Sequence, residues 1–349
     1  MKAIVIHEFG APEVLRYEDV PDPNVGPGDV LIRVRAATLN RVLDCAVRRG
    51  DETRRKVRLP LIPGVDATGI VERVGSHVTD FKPGDHVAAE GRVPLVPCAI
   101  CPENHKQGCG PLGRIGIDRP GSNAELLSLP ACGVIHIPHE IGFAEAAVAM
   151  RHVPAAWNLI FRVAKLQKDE WILILGAAGN LGSIGIQIAK NIVKSRVICA
   201  AGSDERVRVG LELGADYGVN YNKEDLATEV MRITAGHGVD VVYDNVANPK
   251  VTPAAISAMA HHGRLVTAGA HGGPIVPVNF VHVYDRELSI LGTHGKHDED
   301  RLKCFEAVLQ GHIRVRFDRI FPLREATAAH RLLESDPGIG KLILDPTLP

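Results

Sequence analysis

The sequence predicts an α/β protein, with a β-rich first domain followed by a doubly wound domain on a parallel sheet. Three observations carry this. Val30, Ile32, Val34 and Ala36 alternate with Leu31, Arg33 and Arg35, the period-two pattern of a half-buried strand. Trp171–Leu175 (WILIL) is a short unbroken apolar run, as suits a strand covered on both faces. Beyond about residue 153 such runs alternate with helical periodicities, the order expected of βαβ units. Length agrees, since 349 residues at a nominal ~150 per domain make about two domains.

The elements follow in order. Strands are expected at Gly69–Val74 and Asp85–Ala89, set off by the turns Pro27-Gly28-Asp29 and Pro83-Gly84-Asp85. Arg48–Arg58 (RRGDETRRKVR) is basic but holds acids and no aromatic residues, so it reads as a solvated loop rather than a nucleic-acid patch. After Trp171–Leu175, the residues Leu181, Ile184, Gly185, Ile188 and Ala189 recur at helical spacing. Further strands are expected at Arg196–Ala200, Val239–Tyr243 and Arg264–Ala268. Helices are expected at Asp204–Leu213 and near Glu224–Thr234 and Pro253–Ala260. The tail from about His297 carries one helical pattern and a last strand near Lys341–Leu344. The expected division is 1–152, completed by 297–349, against 153–296.

Forty basic residues balance forty-one acidic ones, a formal net charge of −1. That argues against bulk electrostatic attachment to nucleic acid or to an anionic membrane. No apolar run approaches the ~18 residues of a membrane span. The opening MKAIVIHEFG alternates like a strand and lacks a signal-peptide layout, so a cytoplasmic protein is expected. Seven cysteines, an odd number in a long chain, do not suggest a disulfide framework. Cys98, Cys101 and Cys109 fall within twelve residues, which points to a metal.

The sharpest local signal is Gly176-Ala177-Ala178-Gly179-Asn180-Leu181-Gly182, between a buried strand and an apolar-faced helix. Glycines let the backbone approach a pyrophosphate, and the helix N-terminus presents N–H groups and a positive dipole end. In this context the turn reads as a dinucleotide site. A protein selecting NAD places an acid at the end of the next strand, about 20 residues on, to bind the ribose 2′-hydroxyl. Here that strand ends Cys199-Ala200-Ala201-Gly202-Ser203, without an acid. Small residues leave room for a 2′-phosphate, to which Ser203 and Arg206 can donate. NADP(H) is therefore expected, although Arg206 also reads as a solvated helix residue.

At this point the sequence resembles a medium-chain dehydrogenase/reductase of the quinone-oxidoreductase-like branch, over nearly its whole length. Pro63-Gly64-Val65-Asp66-Ala67-Thr68-Gly69 resembles that family's P-G-H-E-x-x-G segment. Gly75–Val87 (GSHVTDFKPGDHV) resembles its G-x-x-V-x-x-F-x-x-G-D-x-V motif. Asp169–Lys190, Asn220-Tyr221, Gly263-Arg264 and Leu288–Gly292 match further landmarks. The resemblance implies a GroES-like first domain, a Rossmann second domain and a cleft between them. It places the catalytic-zinc ligand positions at Asn40, Val65 and Arg151, none a good zinc ligand, so a catalytic zinc is not expected. The family's structural-zinc lobe keeps Cys98, Cys101 and Cys109, but Leu95 stands at the first ligand position. A structural zinc would need a fourth ligand from His105, Glu103, Glu90 or water; the other reading is a relic lobe with free thiols.

The resemblance also implies roles. Asn40 is expected near the nicotinamide. Arg151 is expected to pair with Asp66 or to polarise a substrate oxygen. Tyr221 is expected at the adenosine phosphate, and the backbone of Gly269, Leu291, Gly292 and Thr293 along the cofactor. His152 and His294 read as packing or cofactor contacts, and Asp44 and Asp244 as structural. Glu287–Leu291 is expected at a sheet edge that pairs across a two-fold axis, giving a homodimer or homotetramer. The function expected is NADPH-dependent hydride transfer, without catalytic zinc, to a quinone or α,β-unsaturated carbonyl. Two alternatives stand beside it: a zinc-type alcohol or aldehyde dehydrogenase, and an NADPH-binding protein with a non-catalytic role such as RNA binding.

Overall fold

The computed structural model describes residues 1–41, 43–51, 57–94, 112–293, 297–335 and 340–349. Cys98, Cys101, Cys109 and His294, and the lobe ligands His105 and Glu103, lie outside these residues. Among the described residues no helix is long and apolar enough to cross a membrane. The chain divides into two compact units, Met1–Val148 with Arg316–Pro349, and Ala149–Val315.

The first unit is organised around Asp29–Thr38. One edge of this strand pairs with Ala67–Val74 along most of its length. The other edge is shared: Asp29–Arg33 pairs with Leu126–Pro130, and Ala37 and Thr38 pair with the C-terminal strand Lys341–Asp345. The sheet continues outward through His86–Ala89 and Val134–His136 on one side and Phe317–Pro322 on the other. Val30, Ile32 and Val34 face the core with Ile4, Leu39, Ile115 and Leu129, while Arg33 points outward to Glu72. That is the alternation read from the sequence.

The second unit is a six-stranded parallel sheet. Its order is Tyr217–Asn220, Arg196–Ala201, Trp171–Leu175, Val239–Tyr243, Met259–Thr267, Ser289–Gly292. Trp171–Leu175 sits centrally and is buried along four of its five residues, as an unbroken apolar run requires. The connections wind one way from this strand to Arg196–Ala201 and the other way beyond Val239–Tyr243. The strand order therefore reverses there. The helix Leu226–Ile233 starts where the Asp225 carboxylate accepts the Thr228 N–H at 2.8 Å, slightly inside the expected Glu224–Thr234.

The return to the first unit comes at Arg316 rather than near His297. The helix Arg301–Leu309 stays with the second unit, with Cys304, Phe305, Ala307 and Val308 buried. Its start is tied down by Arg162, which donates to Asp300 at 2.8 Å and also bonds Glu299. Just beyond it, the Arg314 carbonyl accepts from Gln187 at 3.0 Å and its N–H donates back at 2.8 Å.

Candidate functional site

The phosphate-type turn is shaped by close approach. Gly176 has φ +74°, the left-handed region that favours glycine. A Cβ on Gly182 would lie 2.2 Å from the Gly176 carbonyl oxygen, so only glycine lets the helix Asn180–Gln187 start this near the strand end. Gly179 occupies the N-cap and has no side chain to cap the helix. The first N–H groups of an α-helix have no intrahelical acceptor, so those of Asn180, Leu181 and Gly182 are presented at the carboxyl edge of the sheet. Below, the buried Tyr243 ring packs 3.2 Å from where a Gly185 Cβ would be, and its hydroxyl donates to the Leu181 carbonyl at 3.2 Å.

The other expected cofactor residues fall on that same edge. Ser203 follows Arg196–Ala201, Tyr221 follows Tyr217–Asn220, Gly269 follows Met259–Thr267, and Thr293 follows Ser289–Gly292. Ligands of open parallel sheets bind at the carboxyl ends of strands beside the switch in strand order, and a dinucleotide fits this cradle. Ser203 caps the helix Asp204–Glu212, its hydroxyl accepting the Arg206 N–H at 3.3 Å, and the Arg206 side chain is exposed. Burial holds the Tyr221 phenol above its ordinary value, partly offset by the Arg206 charge. The acid nearest the strand tip, Asp204, accepts from Asn220 at 2.6 Å and from Lys223 at 2.5 Å. A cavity of about 190 Å³ opens beside Tyr221, lined by Asn222, Asp225, Leu226, Asn248 and Lys250. Thr293 is placed by its N–H to the Thr267 carbonyl at 3.0 Å and by its hydroxyl, which accepts from Asn158 at 2.9 Å.

In the first unit the structure brings Asn40 and Asp66 together. The Asn40 Nδ2 donates to Asp66 Oδ2 at 2.9 Å, and the Thr38 hydroxyl donates to the same oxygen at 2.9 Å. Ser122 holds the Asp66 backbone carbonyl at 2.9 Å. On its other side the Asn40 Oδ1 accepts from Lys341 Nζ at 2.5 Å, and Lys341 also donates to the Leu39 carbonyl at 3.0 Å. Asn40, Asp66 and Lys341 are 7%, 8% and 6% exposed, so this is a buried polar network. Sequence reasoning missed Lys341 and Thr38. Asp44 is structural as expected, accepting the Asn40 backbone N–H at 2.7 Å. So is Asp244, which holds the N–H groups of Val246 and Ala247 and the Thr252 hydroxyl. Arg151 lies half-buried on the helix Phe143–Trp157, past the unit boundary at Val148.

A catalytic zinc does not fit these residues. Val65 offers no donor atom, a guanidinium such as Arg151 remains cationic, and the Asn40 oxygen already faces an ammonium. Buried thiols elsewhere are not candidate nucleophiles. Burial pushes Cys45 up to about 11, and Cys199 and Cys304 up to about 12.

A GroES-like β-rich unit and a Rossmann unit with this glycine turn define a nucleotide-dependent oxidoreductase. The alcohol dehydrogenase GroES-like domain family matches residues 26–139, and the zinc-binding dehydrogenase family matches residues 181–310. The chain belongs to the medium-chain dehydrogenase/reductase superfamily. It is 31% identical to an NAD-dependent alcohol dehydrogenase of Sulfolobus acidocaldarius, covering 99% of this chain and 100% of that one. It is 30% identical to a quinone oxidoreductase of Pseudomonas aeruginosa, over 99% of each. It is 28% identical to a 2-haloacrylate reductase of a Burkholderia species, over 99% and 98%. A crystal structure of an NAD-dependent alcohol dehydrogenase superposes with a TM-score of 0.88 at 34% identity, covering 99% of each chain.

Proposed function

We propose that this oxidoreductase uses NADPH to reduce quinones or α,β-unsaturated carbonyls without a catalytic zinc. The observation that carries the reading is the Thr38–Asp66–Asn40–Lys341 network, a buried set of hydrogen-bond donors and acceptors without the donor set of a metal centre. The dinucleotide supplies hydride when bound. Conjugated acceptors suit such a site, because charge arriving at the β-carbon delocalises to the oxygen, where one donor stabilises it. Asn40 serves as that donor through its second amide N–H. Arg151 adds a cation for the substrate oxygen. The quinone oxidoreductase and 2-haloacrylate reductase among the relatives act, by name, on acceptors of this electronic type.

Selection of NADPH rests on the tip of Arg196–Ala201. Its nearest acid, Asp204, is held by Asn220 and Lys223, while Arg206 is exposed two residues along, beside Tyr221. In this reading Gly176, Gly179, Asn180, Leu181 and Gly182 bind the pyrophosphate. Ser203, Arg206 and Tyr221 bind the adenosine phosphate, and Gly269, Leu291, Gly292 and Thr293 line the nicotinamide end. A homodimer accompanies it. Ser289–Gly292 is a sheet edge, and Ile290, Phe280, Val281 and Tyr284 nearby are 48%, 75%, 52% and 71% exposed.

The test is absorbance at 340 nm with NADPH or NADH against 1,4-benzoquinone and 3-penten-2-one, beside alcohol oxidation with NADP+ and NAD+, and metal content per chain. Turnover of the conjugated acceptors with at most one zinc supports the reading. A single zinc would lie on Cys98, Cys101 and Cys109, and none would leave that lobe a relic. Two zincs and alcohol oxidation would establish the second reading, an alcohol dehydrogenase, which the Sulfolobus relative favours. Tight NADPH binding with no turnover would favour a non-catalytic protein.

A further inference from the structure

We infer that Lys341 is a positioning residue that sets the orientation of the Asn40 amide, and through it the donor offered to the substrate. The inference rests on the reading that Asn40 faces the substrate oxygen. An asparagine side chain presents an oxygen and an NH2 group of nearly equal shape, so its rotation by half a turn is decided by its neighbours. Here both neighbours have one possible sense. The Lys341 ammonium is donor-only, so the amide atom 2.5 Å from it is the oxygen. The Asp66 carboxylate is an acceptor, so the atom 2.9 Å from it is the nitrogen. The network thereby fixes the amide from both ends and leaves one N–H of Asn40 beyond those two bonds.

Charge gives the arrangement a second consequence. Burying an ammonium is costly unless it is paired and hydrogen-bonded. Lys341 is nine-tenths buried, and the carboxylate of Asp66 lies one amide away. The amide dipole is aligned between them, oxygen toward the cation and nitrogen toward the anion. A cation on the oxygen draws density from the nitrogen and makes the remaining N–H a stronger donor. Lys341 reaches this position by strand pairing: the Leu39 N–H donates to the Leu342 carbonyl at 2.9 Å, which sets Lys341 beside Asn40. Its ammonium then also donates to the Leu39 carbonyl, so the side chain is held at two points.

The test uses K341M, K341R, N40A and the K341M/N40A double variant. Turnover is measured with NADPH and 1,4-benzoquinone. The Asn40 side-chain amide signals are followed in protein labelled with 15N-asparagine and are identified by their loss in N40A. K341M is expected to lower kcat on the order of 100-fold with the NADPH KM unchanged. In the N40A background the same change is expected to cost less than about twofold, because Lys341 acts through Asn40. K341R, also donor-only, is expected to restore most of kcat. The Asn40 amide signals are expected to shift or broaden in K341M and to stay near their wild-type positions in K341R. An equal loss in both backgrounds, or unmoved amide signals in K341M, would overturn the inference. If N40A itself keeps full kcat, the substrate-facing reading of Asn40 fails, and the amide spectrum still decides the orientation. Should K341M not fold, K341Q replaces it, since glutamine offers an acceptor as well and permits the rotated amide.

Discussion

The turn at Gly176–Gly182 and the network at Asn40 are built from opposite materials. The turn is seven consecutive residues whose backbone presents N–H groups. Its requirements are steric, and they fall on glycines. The network is side chains from three segments, Thr38–Asn40, Asp66 and Lys341, joined by hydrogen bonds across as many as 301 residues. The first is specified by what must be small. The second is specified by which atoms donate and which accept. The two should therefore fail differently.

Gly182→Val is expected to have the largest effect. Its side chain would meet the Gly176 carbonyl, which is backbone and cannot turn aside. A stability loss of about 4 kcal/mol is expected, with NADPH binding weakened at least about 100-fold, measured by urea unfolding and by fluorescence titration. Unchanged NADPH affinity would show that the turn does not hold the cofactor.

A second experiment sets the partnered network against a buried polar group that lacks partners. His330 is fully buried and neither ring nitrogen has a hydrogen bond. Burial, with Arg48 adding to it and Glu334 opposing, pushes its pKa down to about 4. The unfolded chain takes up this proton near pH ~6.5 and the native chain does not. Stability from this residue is thus complete above pH ~6.5 and falls as the pH drops toward 4, by about 3 kcal/mol in all. His330→Leu is expected to flatten that part of the pH–stability curve, and an unaltered slope would refute it.

Asn40→Ala follows, with kcat lowered about 100-fold, or about 2.7 kcal/mol, and the NADPH dissociation constant unchanged. A loss of NADPH affinity instead would make Asn40 a cofactor residue. The smallest change is expected from Arg206→Ala: the KM for NADPH rises about tenfold, while that for NADH stays the same. Equal changes for both cofactors would remove Arg206 from the 2′-phosphate.

The same contrast decides what the sequence could show. The glycine turn was legible because strand, turn and helix are contiguous, and each glycine marks a local constraint. The strand Trp171–Leu175 was legible because burial on both faces leaves an unbroken apolar run. Asn40 and Asp66 were legible as positions by family resemblance. Their meeting with Lys341 was not, because that lysine reads simply as the first residue of a strand. The allegiance of the helix Arg301–Leu309 was hidden for a similar reason. Its buried face shows that it packs, but its anchor is the Arg162–Asp300 pair, 138 residues apart. Pairings of that range depend on tertiary geometry, which no local window contains.

The shared edge of Asp29–Thr38 also sets an order for biosynthesis. The Ala37–Thr38 end of that edge is completed by Ile343 and Leu344 of Lys341–Asp345, a strand that begins 301 residues after Asn40. At about 5–20 residues per second, the roughly 300 residues between take from about fifteen seconds to a minute to emerge. During that interval the first unit waits on the ribosome with a strand edge open and Asn40 without its ammonium. The second unit, contiguous from Ala149 to Val315, has by then all of its sequence. A nascent chain therefore has the sequence of its parallel sheet before it has the lysine that closes its polar network.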